Sequence, residues 1–149
     1  MTPEDKKNPW PWAVGILIMN FGTIEAASCQ WIYELTQDQS ARDKAINLQL
    51  GQRLKLVIGL VSNSSLSANR KKKALEMWNA VIELSKIRNK IAHSPFITNP
   101  QQQSGFIDIK EMKGVLDGQP KPVSPSTFSD IHDAATKTKK IIHELLTFF

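Results

Sequence analysis

A chain of 149 residues with 41% hydrophobic and 22% charged residues fits one soluble globular domain, 1–149, able to bury about two thirds of its unfolded surface without disulfides or a structural metal. Seven glycines and eight prolines are too few for a disordered or fibrous class, and the lone Cys29 excludes an intrachain disulfide, in keeping with a reducing cytoplasm. A net charge of +5 favours polyanionic partners, because lysines and arginines gain affinity by releasing phosphate counterions.

Residues 1–11 read as a polar, flexible lead-in, in which Pro9-Trp10-Pro11-Trp12 is a stiff stretch that lays an indole against the domain. Lys6 and Lys7 precede an apolar run from Trp10 to Ile18, and Ala26-Ala27-Ser28-Cys29 resembles a lipoprotein cleavage site. Asn20 and Glu25 interrupt that run, which is too short to span a bilayer, so the expectation is a soluble, unprocessed chain with no membrane partner. Val14, Leu17, Ile18, Phe21, Ile24, Ser28, Cys29, Ile32 and Leu35 then recur at three- and four-residue steps and predict a first amphipathic helix that ends at Thr36 to Ser40. Glu25 flanks this stripe, either solvated or turned inward to pair with Arg88 or Asn89.

A second stripe, Leu48, Leu50, Leu54, Val57, Ile58 and Val61, predicts a helix starting near Ser40 with Asp43 as its cap. Gly51 and Gly59 inside it each cost about 1 kcal/mol, which close helix approach would offset. Asn63 to Ser67 is a Ser-rich connection. The third helix runs from Ser67 to His93 with Leu75, Trp78, Val81, Ile82, Ser85, Asn89 and Ala92 on its inner face. Its first turn holds Arg70, Lys71, Lys72 and Lys73, where the helix dipole disfavours cations, so the run is either a solvated face or a phosphate-contacting patch. Residues 96–125 form a long irregular connection with at most a short strand or hairpin around Phe106 to Glu111. A last helix opens at Pro125-Ser126-Thr127, with Ser126 or Ser129 as cap and Phe128, Ile131, Ala135, Thr138, Leu145 and Phe149 on its stripe. The fold class is therefore all-α, a four- to five-helix bundle.

Metal chemistry finds no support, because Cys29, His93, His132 and His143 lack ligand spacing, and no cofactor is implied. No phosphate-cradling glycine loop or nucleophile elbow is present, and Cys29 lies in a core stripe. The residues left are Arg88, Asn89 and His93, in the stretch Ile-Arg-Asn-Lys-Ile-Ala-His-Ser-Pro, where Pro95 ends the helix and gathers a cation, an amide and a titratable ring at one tip. Structurally, cations there would merely complement the helix dipole. Functionally, the imidazole suits proton transfer and the guanidinium suits a phosphate, which together would serve cleavage of RNA by its own 2′-hydroxyl.

Arg, a polar residue, three more positions and His at a helix end resemble the signature of the HEPN superfamily, matched here by Arg88, Asn89 and His93. The resemblance implies a helical domain, metal-independent endoribonuclease activity with Arg88, His93 and Asn89 as catalytic residues, and a homodimer that shares the site across a twofold axis. Other members of the superfamily are non-catalytic modules that bind RNA or nucleotides, and a bundle that only dimerises is a third class. Arg70, Lys71, Lys72, Lys73 and Lys90 are the candidate substrate contacts. A branch of the family carries a modifiable Tyr two residues after the His; Pro95 stands there, so that regulation is not carried over.

Overall fold

The computed structural model describes residues 9–94, 96–97, 105–106 and 127–149, and among these the protein is all-α with one short hairpin. Five helices, α1 (Trp10–Thr36), α2 (Gln39–Ile46), α3 (Leu50–Asn63), α4 (Ala68–His93) and α5 (Phe128–Leu146), are joined by strands β1 (Phe96–Ile97) and β2 (Gly105–Phe106) between α4 and α5. The strands pair antiparallel, Phe96 opposite Phe106 and Ile97 opposite Gly105. The predicted hairpin is thus present, but it starts at Phe96; the part of its expected span from 107 to 111 lies outside the described residues.

Local chemistry sets the helix ends. Ala13 N–H donates to the Pro9 carbonyl at 3.1 Å, so the helix takes in Trp10 and Pro11 where a lead-in was expected. Proline is tolerated there because a first-turn residue needs no intrahelical donor. Gln37, at φ 52°, ends α1 in the left-handed region, and its N–H donates to the Tyr33 carbonyl at 2.6 Å. Asp38, rather than Asp43, caps α2 by accepting the Ser40 N–H at 2.8 Å. The expected second helix is in fact two, broken at Asn47 to Gln49, with a new start at α3 where Gln49 and Gln52 form a reciprocal capping box. Thr127 and Asp130 do the same for α5: Asp130 N–H donates to Thr127 Oγ1 at 3.2 Å, and Thr127 N–H donates to Asp130 Oδ2 at 2.7 Å. The Ser126 alternative lies outside the described residues.

Contacts group the chain into two compact units, 1–19 with 85–137 and 20–84 with 138–149, the division falling within α1, α4 and α5. In the first unit, Ala13, Leu17, Ile91, Ile131, Ala134 and Ala135 are buried. Trp10 meets Phe96, Phe106 and Phe128 edge-on, with ring centroids 4.7, 6.1 and 5.7 Å away.

In the second unit, Phe21, Ile24, Trp31, Ile32, Leu54, Val57, Val61, Trp78, Val81 and Leu145 form the core. Trp31 and Trp78 meet at 5.3 Å and 84°, and the Trp31 indole N–H donates to the Leu145 carbonyl at 3.0 Å. The fully buried Thr138 Oγ1 accepts from Asn20 Nδ2 at 2.9 Å, so both segments that close this unit are tied by polar bonds as well as packing. Contrary to the expectation of a run too short to span a bilayer, α1 is long enough, and over an 18-residue stretch apolar enough, to cross a membrane. Here its Leu17, Phe21, Ile24, Trp31 and Ile32 are covered by protein.

A Cβ at Gly51 or Gly59 would meet nothing within 4 Å. The close helix approach expected to offset these glycines is therefore not made among the described residues.

Candidate functional site

Arg88, Asn89, Lys90 and His93 occupy the last two turns of α4, which ends at His93, as the following Ser-Pro predicted. Burial along α4 runs through Ala74, Met77, Trp78, Val81, Leu84 and Ile91. This register corrects the predicted inner face, because Asn89 and Ala92 are exposed while Leu84 and Ile91 anchor the helix. The stripe drifts because 3.6 residues per turn carries it by way of Leu84 and Ile91, seven apart, rather than Ser85 and Asn89.

Arg88 is half-buried, its Nε is buried, and its Nη1 donates to Asn89 Oδ1 at 3.1 Å. Asn89, itself exposed, thereby holds one edge of the guanidinium. His93 is exposed, and Lys90 is half-buried on the same segment. On an ideal helix Arg88 and His93 leave the axis about 140° apart and about 7.5 Å along it. From Ser85 to Ile97 the chain carries Lys86, Arg88 and Lys90 and no carboxylate. Such a tip offers a planar donor fork and an imidazole to an oxyanion.

Glu25 and the basic run Arg70 to Lys73 fall in the second unit. Glu25 is half-buried on α1, and with Ala26, Cys29, Arg42, Ile46 and Arg53 it lines a cavity of about 340 Å³. Of the basic run, Arg70 donates to the Phe148 carbonyl and lies over the Phe148 ring at 4.6 Å, and Lys71 Nζ donates to the Ser62 carbonyl at 3.3 Å. Those two hold the chain's own groups; Lys72 and Lys73 are exposed, as is Arg70, and Lys71 is half-buried. Cys29 is a buried free thiol, as its stripe position predicted. His132 and His143 are exposed, and His132 stacks on Trp12 at 6.3 Å and 25°. Among the described residues no group of three or more His, Cys, Asp or Glu could hold a metal ion.

Sequence reasoning missed Arg53. It is 5% exposed, and its guanidinium donates to four carbonyls: Nε to Ala45 at 2.9 Å, Nη1 to Glu25 at 3.1 Å, and Nη2 to Ile46 and Leu48 at 3.3 and 2.8 Å. It closes the C-terminal end of α2, where carbonyls lack helical partners and the dipole is negative. The available signal was a cation inside an apolar stripe, next to Leu54 and one turn from Val57.

Compared with family profiles, with characterised proteins and with solved structures, the chain matches none.

Proposed function

We propose that the chain is a metal-independent endoribonuclease of HEPN type, acting in the cytoplasm as a homodimer with Arg88, Asn89 and His93 as its catalytic set. One observation carries the reading: a guanidinium held by Asn89 and a solvent-facing imidazole end one helix, in a segment with three cations and no carboxylate. RNA contains its own nucleophile. The 2′-oxygen attacks the adjacent phosphorus while His93 takes its proton, the P–O5′ bond breaks, and a 2′,3′-cyclic phosphate and a 5′-hydroxyl result. Arg88 neutralises the non-bridging oxygens, whose charge grows in the transition state, and Asn89 keeps its donor fork aimed. Lys90, in the same unit as Arg88 and His93, is the cation suited to the adjoining RNA backbone.

Within one chain Arg88 and His93 diverge by about 140°, so a single helix tip makes a thin site. A twofold contact brings a second set alongside, and the partner subunit's His93 then protonates the departing O5′. The test is incubation of the purified protein with single-stranded and structured RNA in EDTA, beside Arg88→Ala and His93→Ala. Cyclic-phosphate ends from wild type and none from the variants support the reading. Intact RNA, or equal cleavage by the variants, overturns it; RNA or nucleotide binding without cleavage would select the non-catalytic module.

A further inference from the structure

The segment that carries His93 leads directly into an aromatic cluster. Phe96 opens β1, and its ring is held edge-on by Trp10 at 4.7 Å and Phe106 at 5.1 Å, yet it remains 38% exposed. Trp10 is itself braced against Phe128. A ring supported by two others and still open to solvent has lost its rotational freedom before any ligand arrives, so a flat partner binds it without a further ordering cost. Three chain steps separate Phe96 from His93, which keeps their Cα atoms within about 11 Å. Arg88 and Lys90 precede the ring on the same segment, side chains of the kind that contact a phosphate backbone.

We propose that Phe96 stacks a base of single-stranded RNA, roughly one or two nucleotides from the 2′-hydroxyl that His93 deprotonates. This rests on the ribonuclease reading and adds a substrate class and a subsite to it. A duplex keeps its bases stacked inward, so the site takes unpaired strand, and because every base has a π-face it selects little among sequences.

The test measures binding of a labelled single-stranded oligoribonucleotide to the full-length His93→Ala protein, which removes cleavage, with abasic nucleotides stepped along the strand. One abasic position should weaken binding by roughly 5- to 150-fold. That penalty should vanish when Phe96→Ala is added, and also with Phe96→Leu, which keeps apolar packing but lacks the ring. Phe96→Trp should restore it. A structural role for Phe96 would weaken all strands equally and leave the abasic penalty in place, which overturns the proposal while the ribonuclease reading stands. No binding of any strand, with no cleavage by wild type, removes both.

Discussion

Replacing His93 with alanine should lower RNA cleavage by about 10²- to 10⁴-fold, the usual worth of a positioned proton-transfer group. Arg88→Lys should fall nearly as far as Arg88→Ala, since an ammonium keeps the charge but loses the planar fork that Asn89 holds. Rates of cyclic-phosphate formation check both, and a fully active Arg88→Lys would point to a general cation in place of a bidentate clamp. Two other side chains make stability arguments of the same kind. Arg53→Met removes a donor from four carbonyls, of which Ala45 and Glu25 keep the Leu48 N–H and the Ser28 hydroxyl, and should cost about 2–3 kcal/mol, read as a lower urea midpoint at unchanged slope. The two core indoles differ: Trp31 N–H has the Leu145 carbonyl, whereas Trp78 Nε1 is buried without an acceptor among the described residues. Trp78→Phe should therefore be milder than Trp31→Phe by about 1 kcal/mol, because only the latter orphans a bonded carbonyl. Equal losses in the two variants would contradict that account.

At the scale of elements, Gly22 and Gly59 sit inside helices with open space where a Cβ would go. Alanine at either should stabilise the chain by about 0.5–1 kcal/mol through reduced unfolded-state freedom. A loss at either position would mean that its helix face meets something outside the chain, and thermal melts across a dilution series separate the cases. Helix existence was legible because apolar residues recur at helical spacing, and the ends of α1 and α4 were legible because Thr36 to Ser40 and Ser94-Pro95 break the pattern. The gap between α2 and α3 was not, since Leu48 and Leu50 continue the stripe across it. What holds the break is Arg53, whose bonds to Ala45, Ile46 and Leu48 are made only when the chain has folded back. The place of Arg88 and His93 at the end of α4 was readable from Ser94-Pro95. Phe96 was not singled out, because its support by Trp10 joins residues far apart in sequence.

For the whole molecule, a shared site predicts that activity per protomer falls on dilution below the dimer dissociation constant, and light scattering after size exclusion should show the two species exchanging. A monomer at every concentration with unchanged activity would leave Arg88 and His93 acting within one chain. With a net charge of +5, RNA affinity should also drop steeply with salt, by a log–log slope of roughly 0.7 per phosphate contacted on a single strand. The bond from Trp31 to Leu145 bears on a different property. It spans 114 residues, and the Asn20 to Thr138 bond spans 118, so the second unit closes only when the two ends of a long loop meet. Joining ends so distant costs on the order of 4 kcal/mol in chain entropy, which should make this bundle refold more slowly than helical proteins built from neighbouring hairpins. The same logarithm makes the cost insensitive to chain length: doubling the closed loop would add only about 0.6 kcal/mol.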